Sequence, residues 1–312
     1  MTAVGLDTFG GPEVLKLVDK PPRALRAGEV LIQVAAAAVN PTDLLLRSGA
    51  LGPYLGTTAK PYVPGMDAAG VVIAVGEGVT RPAVGDQVMA AAAYFRDEGG
   101  AQNEQLIVPA AAAVPIPPGA TMEEACTLPM NGATAWDALD LAAPKGGVVA
   151  VTGGAGWLAT IILALARERG IRTIADSRPD QRDEVLANGA DVVVDRGPGL
   201  AQRILAHAPG GVDGLIDTAL IGPEVLPAIR DDGQWVEVRP VDSQDTERGI
   251  TRSLALAPRR MEDTDAQMAI RQLVVDGKLK LHVQESFPPE RAADAHRRQA
   301  EGRIRGRLVI KF

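Results

Sequence analysis

From residue 148 onward the chain alternates short apolar runs with amphipathic segments, and this alternation restricts the fold more than any other feature. Strands are expected over 148–152, 171–175, 191–195, 214–217, 235–238 and 253–257, with helices over 158–169, 179–188, 200–208 and 223–230. The links between them are only a few residues long. A strand followed by a helical crossover and another strand returns parallel to its predecessor, and a run of such units builds a doubly wound α/β sheet.

The first third reads differently. Val30-Leu31-Ile32-Gln33-Val34, Gly70-Val71-Val72-Ile73-Ala74-Val75-Gly76 and Gly85-Asp86-Gln87-Val88-Met89 are β-branched runs bounded by turn signals. Prolines at 41, 53, 61, 64, 82, 109, 115, 117 and 118 oppose long helices and suit loops and edge strands. The pattern changes at Thr121, where Glu124 stands three residues on and forms the signature of a capping box. The tail, 266–312, adds helical segments and a last strand over 307–311, which needs a sheet to join and is expected to return to the first domain. The expected division is a mostly β domain over 1–120, completed by 259–312, and an α/β domain over 121–258.

Bulk properties remove several classes of partner. The net charge of −7 is spread without a basic run, which argues against nucleic acid and anionic membranes. The apolar stretch 158–166 is far shorter than the roughly 20 residues that span a bilayer, and no leader segment is apparent. The one cysteine, Cys126, excludes an internal disulfide and a multi-cysteine zinc site. A cytoplasmic protein is expected.

The stretch Val149-Ala150-Val151-Thr152-Gly153-Gly154-Ala155-Gly156-Trp157-Leu158-Ala159 joins the first strand of the alternating run to its first helix. Gly154-x-Gly156-x-x-Ala159 fits the G-x-G-x-x-G/A fingerprint in its proper context. Glycines there permit a tight turn and let backbone N–H groups approach a dinucleotide's diphosphate, while the helix N-terminus contributes partial positive charge. Trp157 is the odd residue: its ring either packs against protein or lies along the cofactor channel. The end of the next strand bears on which dinucleotide binds. Asp176 argues for a ribose hydroxyl and NAD, whereas Ser177, Arg178 and Arg182 argue for the 2′-phosphate of NADP, and the balance favours NADPH.

Further motifs run along the whole chain. They are Gly10-Gly11-Pro12-Glu13-Val14-Leu15, Asn40-Pro41-Thr42-Asp43, Pro64-Gly65-Met66-Asp67-Ala68-Ala69-Gly70, Val75-Gly76-Glu77-Gly78-Val79, Gly85-Asp86-Gln87-Val88, Thr134-Ala135-Trp136, the segment Gly189 to Asp195, and Gly302 to Ile310. In this order they resemble the medium-chain dehydrogenase/reductase superfamily, and within it the zinc-free, zeta-crystallin-like quinone oxidoreductases. The resemblance implies a GroES-like catalytic domain joined to a Rossmann domain, a homodimer, and a small-molecule carbonyl substrate. The candidate catalytic residues are Asn40, to orient the acceptor carbonyl or the carboxamide, Thr134, for the nicotinamide, and Tyr54, as donor to the developing oxyanion. Asn40 and Thr134 would further join Gly153, Gly154, Ala155, Gly156, Trp157, Leu158, Ser177, Arg178, Arg182, Arg196 and Thr218 in holding the cofactor.

Where zinc-dependent members of that superfamily carry a cysteine and a histidine, this chain has Asn40 and Met66. The neighbourhood of the third ligand, Leu128 to Gly132, contains neither thiol nor imidazole, and His207, His282 and His296 lack ligand spacing, so no metal is expected. Against the pattern of the quinone oxidoreductases, Leu44-Leu45-Leu46 stands where a tyrosine is usual, Arg196 replaces a tyrosine and Arg307 a lysine. A quinone or enone is already electrophilic, so hydride transfer needs positioning more than a strong base. The expected activity is therefore NADPH-dependent reduction of a quinone or related α,β-unsaturated carbonyl. The alternatives are an enoyl or enone reductase of the same branch and a redox-inactive NADPH-binding protein.

Overall fold

The structure is a computed structural model, and it describes residues 1–56, 58–143, 147–239 and 246–312. The chain forms two units, one made of Met1–Met130, Met261–Val275 and Leu281–Phe312, the other of Asn131–Arg260 and Asp276–Lys280.

The first unit holds β1 (Thr2–Gly5), β2 (Lys16–Asp19), β3 (Glu29–Val39), α1 (Pro41–Ser48), β4 (Asp67–Val75), β5 (Gln87–Ala91), β6 (Gln105–Pro109), β7 (Ala113–Pro115) and α2 (Met122–Ala125). The helix α3 (Pro129–Ala142) begins there and continues into the second unit. Strand β3 organises the unit. Its alternating half, with Val30, Ile32 and Val34 turned inward, pairs with both β4 and β6. Its alanine-rich half, Ala36 to Val39, is buried on both faces and pairs with β4 and with the chain's last strand. Small side chains suit this crowding, and the extreme case is Gly70 of β4, where a Cβ would fall 2.0 Å from the Gln33 carbonyl oxygen.

The second unit contains β8 (Val148–Val151), α4 (Trp157–Glu168), β9 (Arg172–Ser177), α5 (Arg182–Ala187), β10 (Val192–Asp195), α6 (Leu200–Leu205), β11 (Val212–Asp217), β12 (Ile229–Glu237) and β13 (Thr251–Leu254). Its sheet is parallel throughout, in the order β10-β9-β8-β11-β12-β13, which is the Rossmann order 3-2-1-4-5-6 counted from β8. Ala150, Ile174, Leu215 and Trp235 from the sheet pack with Leu200 and Ile204 of α6. The chain then adds α7 (Thr264–Val275), β14 (Val283–Phe287), α8 (Ala292–Glu301) and β15 (Arg307–Lys311). Strand β15 pairs antiparallel with β3, Leu308 opposite Val39, and brings β14 alongside it in parallel.

Two expectations from sequence need correction. The helix expected over 223–230 is a 3₁₀ stretch, Gly222–Ala228, because Pro227 inside it lacks the N–H an α-helix requires, and strand β12 starts at Ile229. The 14-residue α3 was not expected at all. It is buried on nearly every side, so it lacks the polar face by which a helix announces itself.

Candidate cofactor site

Strands β8 and β11 are neighbours, and the order of strands reverses between them, so the crevice at their C-terminal ends is the place where α/β sheets bind ligands. Thr152 and Asp217 tie the two ends together. The Thr152 hydroxyl donates to the Asp217 carboxylate at 2.6 Å, and the Thr218 hydroxyl donates to the Thr152 carbonyl at 2.5 Å. Asp217 also accepts the N–H groups of Ile221 and Gly222, at 3.1 and 2.8 Å, and is fully buried. This clamp holds the glycine loop over the crevice. Sequence reasoning named Thr218 but neither Thr152 nor Asp217, whose pairing depends on sheet order.

The three glycines of the loop serve three purposes. Gly153 adopts φ +67°, a left-handed conformation that disfavours other residues. Gly154 needs its missing side chain, since a Cβ would lie 2.9 Å from the Asp176 carbonyl oxygen and 3.0 Å from both Ala175 and Val185. Gly156 caps α4 at φ −77°, ψ 152°, a backbone open to any residue, and is exposed. The backbone at Gly156 does not itself require glycine, and a Cβ there would meet the Gly153 carbonyl oxygen at 3.1 Å. A diphosphate fits this cradle, with the start of the 12-residue α4 beneath it. Trp157, the first residue of α4, is 5% exposed, so its ring is a packed side chain, flanked by Ala155 and Leu158 at intermediate exposure.

Beside the loop lies a cavity of about 280 Å³, lined by Asp176, Arg196, Leu200, Gln202, Ile221 and Glu224 among others. Its apolar wall and charged rim suit the adenosine half of a dinucleotide. Asp176, at the end of β9, does not reach outward: its carboxylate accepts the Gly153 N–H at 2.5 Å. Burial raises its pKa above the usual carboxylate value, and this hydrogen bond opposes the rise. Ser177 is buried and donates to the Arg178 carbonyl at 2.9 Å. Arg178 is exposed and held by Asp180 at 3.2 and 3.4 Å, and Arg182 is exposed at the start of α5. Among these expected cofactor residues, the cavity brings only Arg196 together with Asp176.

Asn40 belongs to the first unit, in a buried polar cluster. It caps α1, its backbone N–H donates to Asp43 at 2.7 Å, and its side-chain amide donates to Asp67 at 2.6 Å. Arg307 Nε donates to Asn40 Oδ1 at 3.0 Å, across 267 positions of sequence. Asp43 also accepts the Gly65 N–H, and Asp67 accepts the Met130 N–H. Burial pushes both carboxyls up to about 7 and lowers Arg307 to about 10. Met66 takes a hydrogen bond from the Thr42 hydroxyl at 3.5 Å. Tyr54, in the 3₁₀ turn Gly52–Tyr54, is 73% exposed. Thr134 belongs to the second unit and is buried in α3.

Among the described residues, no three His, Cys, Asp or Glu side chains gather closely enough to hold a metal ion, and no helix is long and apolar enough to cross a membrane.

Comparison with known proteins agrees with this geometry. Residues 26–118 match the family model of the alcohol dehydrogenase GroES-like domain, and residues 170–310 that of zinc-binding dehydrogenases. The quinone oxidoreductase of Rattus norvegicus is 29% identical over 316 residues, covering 95% of this chain and 93% of the rat protein. A mycobacterial protein solved in complex with NADPH is 26% identical with a TM-score of 0.85, covering 100% of both chains. An NAD-dependent alcohol dehydrogenase is likewise 26% identical, with a TM-score of 0.83 and 100% of both chains covered.

Proposed function

Because this chain belongs to the medium-chain dehydrogenase/reductase superfamily, in its quinone oxidoreductase branch, we propose that it is a zinc-independent reductase that uses NADPH to reduce a quinone or related α,β-unsaturated carbonyl. An oxidoreductase that binds a nicotinamide cofactor follows from the family. The choice of NADPH and of the acceptor is our reading.

The observation that carries the reading is the glycine loop at the sheet's switch point, opening beside a cavity whose cationic side chain is Arg196. Bound there, the dihydronicotinamide supplies a hydride. The protein's own residues hold and orient. The loop from Gly153 to Leu158 cradles the diphosphate at the N-terminus of α4, with Thr218 bracing the loop from β11. Arg196 offers a cation inside the cavity, and Arg178, Arg182 and Ser177 stand at the end of β9 where a 2′-phosphate would come. Asp176 bears on the choice as well: one oxygen of its carboxylate is taken by the Gly153 N–H, which leaves the carboxylate less free for a ribose hydroxyl. Thr134 is assigned to the nicotinamide and Tyr54 to the acceptor's oxygen. Asn40 is assigned a positioning part, since its amide is engaged by Asp67 and Arg307.

Zinc independence is supported by residue chemistry. Asn40 and Met66 are poor zinc ligands, and the amide of Asn40 already has hydrogen-bonding partners. A small-molecule substrate, a homodimer and a cytoplasmic setting complete the proposal.

The test is a panel of quinones, enones and enoyl thioesters offered with NADPH or NADH, read by loss of the dihydronicotinamide absorbance. Turnover of quinones or enones with NADPH is expected. Turnover of enoyl thioesters alone would move the assignment to an enoyl reductase, and binding of NADPH without any turnover would make the protein a cofactor-binding protein.

A further inference from the structure

The carboxylate of Asp176 occupies the place where an anionic ligand is expected. It lies at the C-terminal end of β9, is 3% exposed, accepts the Gly153 N–H, and lines the cavity with Arg196 and Glu224. The Gly154 N–H donates to its backbone carbonyl at 3.0 Å. The first two amides of the phosphate loop are thus both bonded to Asp176, one through a group that carries charge.

We propose that Asp176 takes up a proton when the diphosphate of a dinucleotide binds at the glycine loop, so that cofactor binding and protonation of this carboxylate are coupled. The inference rests on the assignment of the loop as the cofactor site. Bringing a doubly charged anion beside a buried carboxylate disfavours the ionised form of that carboxylate. The charged groups that face Asp176 decide how strongly. Arg196, on the turn after β10, favours ionisation, and Asp217, at the end of β11, opposes it. Glu224 shares the cavity, while Asp195, Arg178 and Asp180 on the flanking strand and turn are exposed to solvent. After the Gly153 N–H, Arg196 is the group that most favours the ionised form of Asp176, and it is the cation in the cavity that an incoming phosphate would meet. Each phosphate contact that Arg196 makes weakens its hold on Asp176. Once protonated, the carboxyl keeps an oxygen for the Gly153 N–H and gains an O–H donor beside the ligand.

The sign follows from linkage. Protonation accompanies binding, so affinity rises as pH falls through the interval between the free and bound pKa values of Asp176, with a slope of at most about tenfold per pH unit for one proton. This interval begins above the usual aspartate value, because burial has already raised the free value.

The probe is ADP-ribose, which carries the diphosphate without a 2′-phosphate whose own titration would interfere. Calorimetric titration of the full-length protein in buffers of differing ionisation enthalpy reads proton uptake directly. At a pH within that interval wild type should take up a measurable fraction of a proton, and Asp176→Asn should take up none while binding with an affinity independent of pH. The pH dependence of wild-type affinity gives the same proton count separately, which keeps the test decisive if the variant does not fold. Binding without proton uptake in wild type would overturn the coupling, as would uptake that persists in Asp176→Asn. Failure of ADP-ribose, NADPH and NADH to bind at all would overturn the cofactor assignment and the coupling with it.

Discussion

The side-chain amide of Asn40 and the carboxylate of Asp67 meet at 2.6 Å in the interior of the first unit, and Arg307, from the other end of the chain, bonds the far side of the same amide. Asn40 thereby joins two buried carboxyls, Asp43 and Asp67, to the Arg307 guanidinium that faces them. This arrangement ties the last strand to the core electrostatically as well as by pairing.

Arg307→Met should destabilise the protein by roughly 3–5 kcal/mol, the scale of breaking a buried ion pair, and the loss should depend on pH. The folded-state pKa values of Asp43 and Asp67, about 7, lie above the unfolded value of 3.8, so the folded state holds more protons in that window. The stability they contribute is complete at low pH and is lost as pH rises through about 7. Without Arg307 both carboxyls should hold their protons more tightly, so the variant's deficit should be larger at pH 8 than at pH 5.5. Urea unfolding at the two values measures it; an equal deficit at both would show that the carboxyls do not titrate in this range.

His296 presents the opposite sign. It is fully buried on α8, faces Arg47, and has no hydrogen-bond partner on either ring nitrogen among the described residues. Burial, followed by the charge of Arg47, lowers its pKa to about 3. The stability this preserves is present above the unfolded value of 6.5 and is lost as pH falls toward 3, by up to about 1.4 kcal/mol per pH unit. His296→Leu should therefore unfold less readily than wild type below pH 6, with the gap widening on acidification. Parallel melting curves for the two proteins between pH 5 and 7 would contradict this.

Gly154→Ala and Gly156→Ala should separate folding from binding. The first places a Cβ 2.9–3.0 Å from Asp176, Ala175 and Val185 and should cost roughly 1–3 kcal/mol of stability. The second meets only the Gly153 carbonyl oxygen, at 3.1 Å, so stability should change by no more than about 0.5 kcal/mol while NADPH affinity falls. Thermal melts alongside calorimetric titration test both halves, and unchanged binding by Gly156→Ala would remove the diphosphate from this loop.

Arg178→Ala should weaken NADPH by about 1–3 kcal/mol and leave NADH nearly untouched. The guanidinium is held by Asp180, so Asp180→Asn should release it and strengthen NADPH by up to about 1 kcal/mol. Titrations of each variant with both cofactors give the answer. An equal loss of NADPH and NADH in Arg178→Ala would rule out a 2′-phosphate contact.

Purified protein should contain no stoichiometric zinc by elemental analysis, and chelators should leave reductase activity unchanged. One zinc per chain would overturn the reading of Asn40 and Met66.

The sequence by itself determined the Rossmann-type alternation, because apolar runs and helical segments carry their own periods, and it located the glycine loop, because a strand, three glycines and a helix are consecutive. The capping box at Thr121 and Glu124 was legible for the same reason: its partners are three residues apart and are bonded in both directions in the structure. The final strand, Arg307–Lys311, was legible in extent, yet nothing local could pair it with β3 or set Arg307 against Asn40. Only the tertiary structure turned the Asp176 carboxylate back onto Gly153 and set Asp217 against Thr152. Sheet order decides both contacts, and it brings groups 23 and 65 positions apart into bonding distance, where burial and neighbouring charge then alter their chemistry.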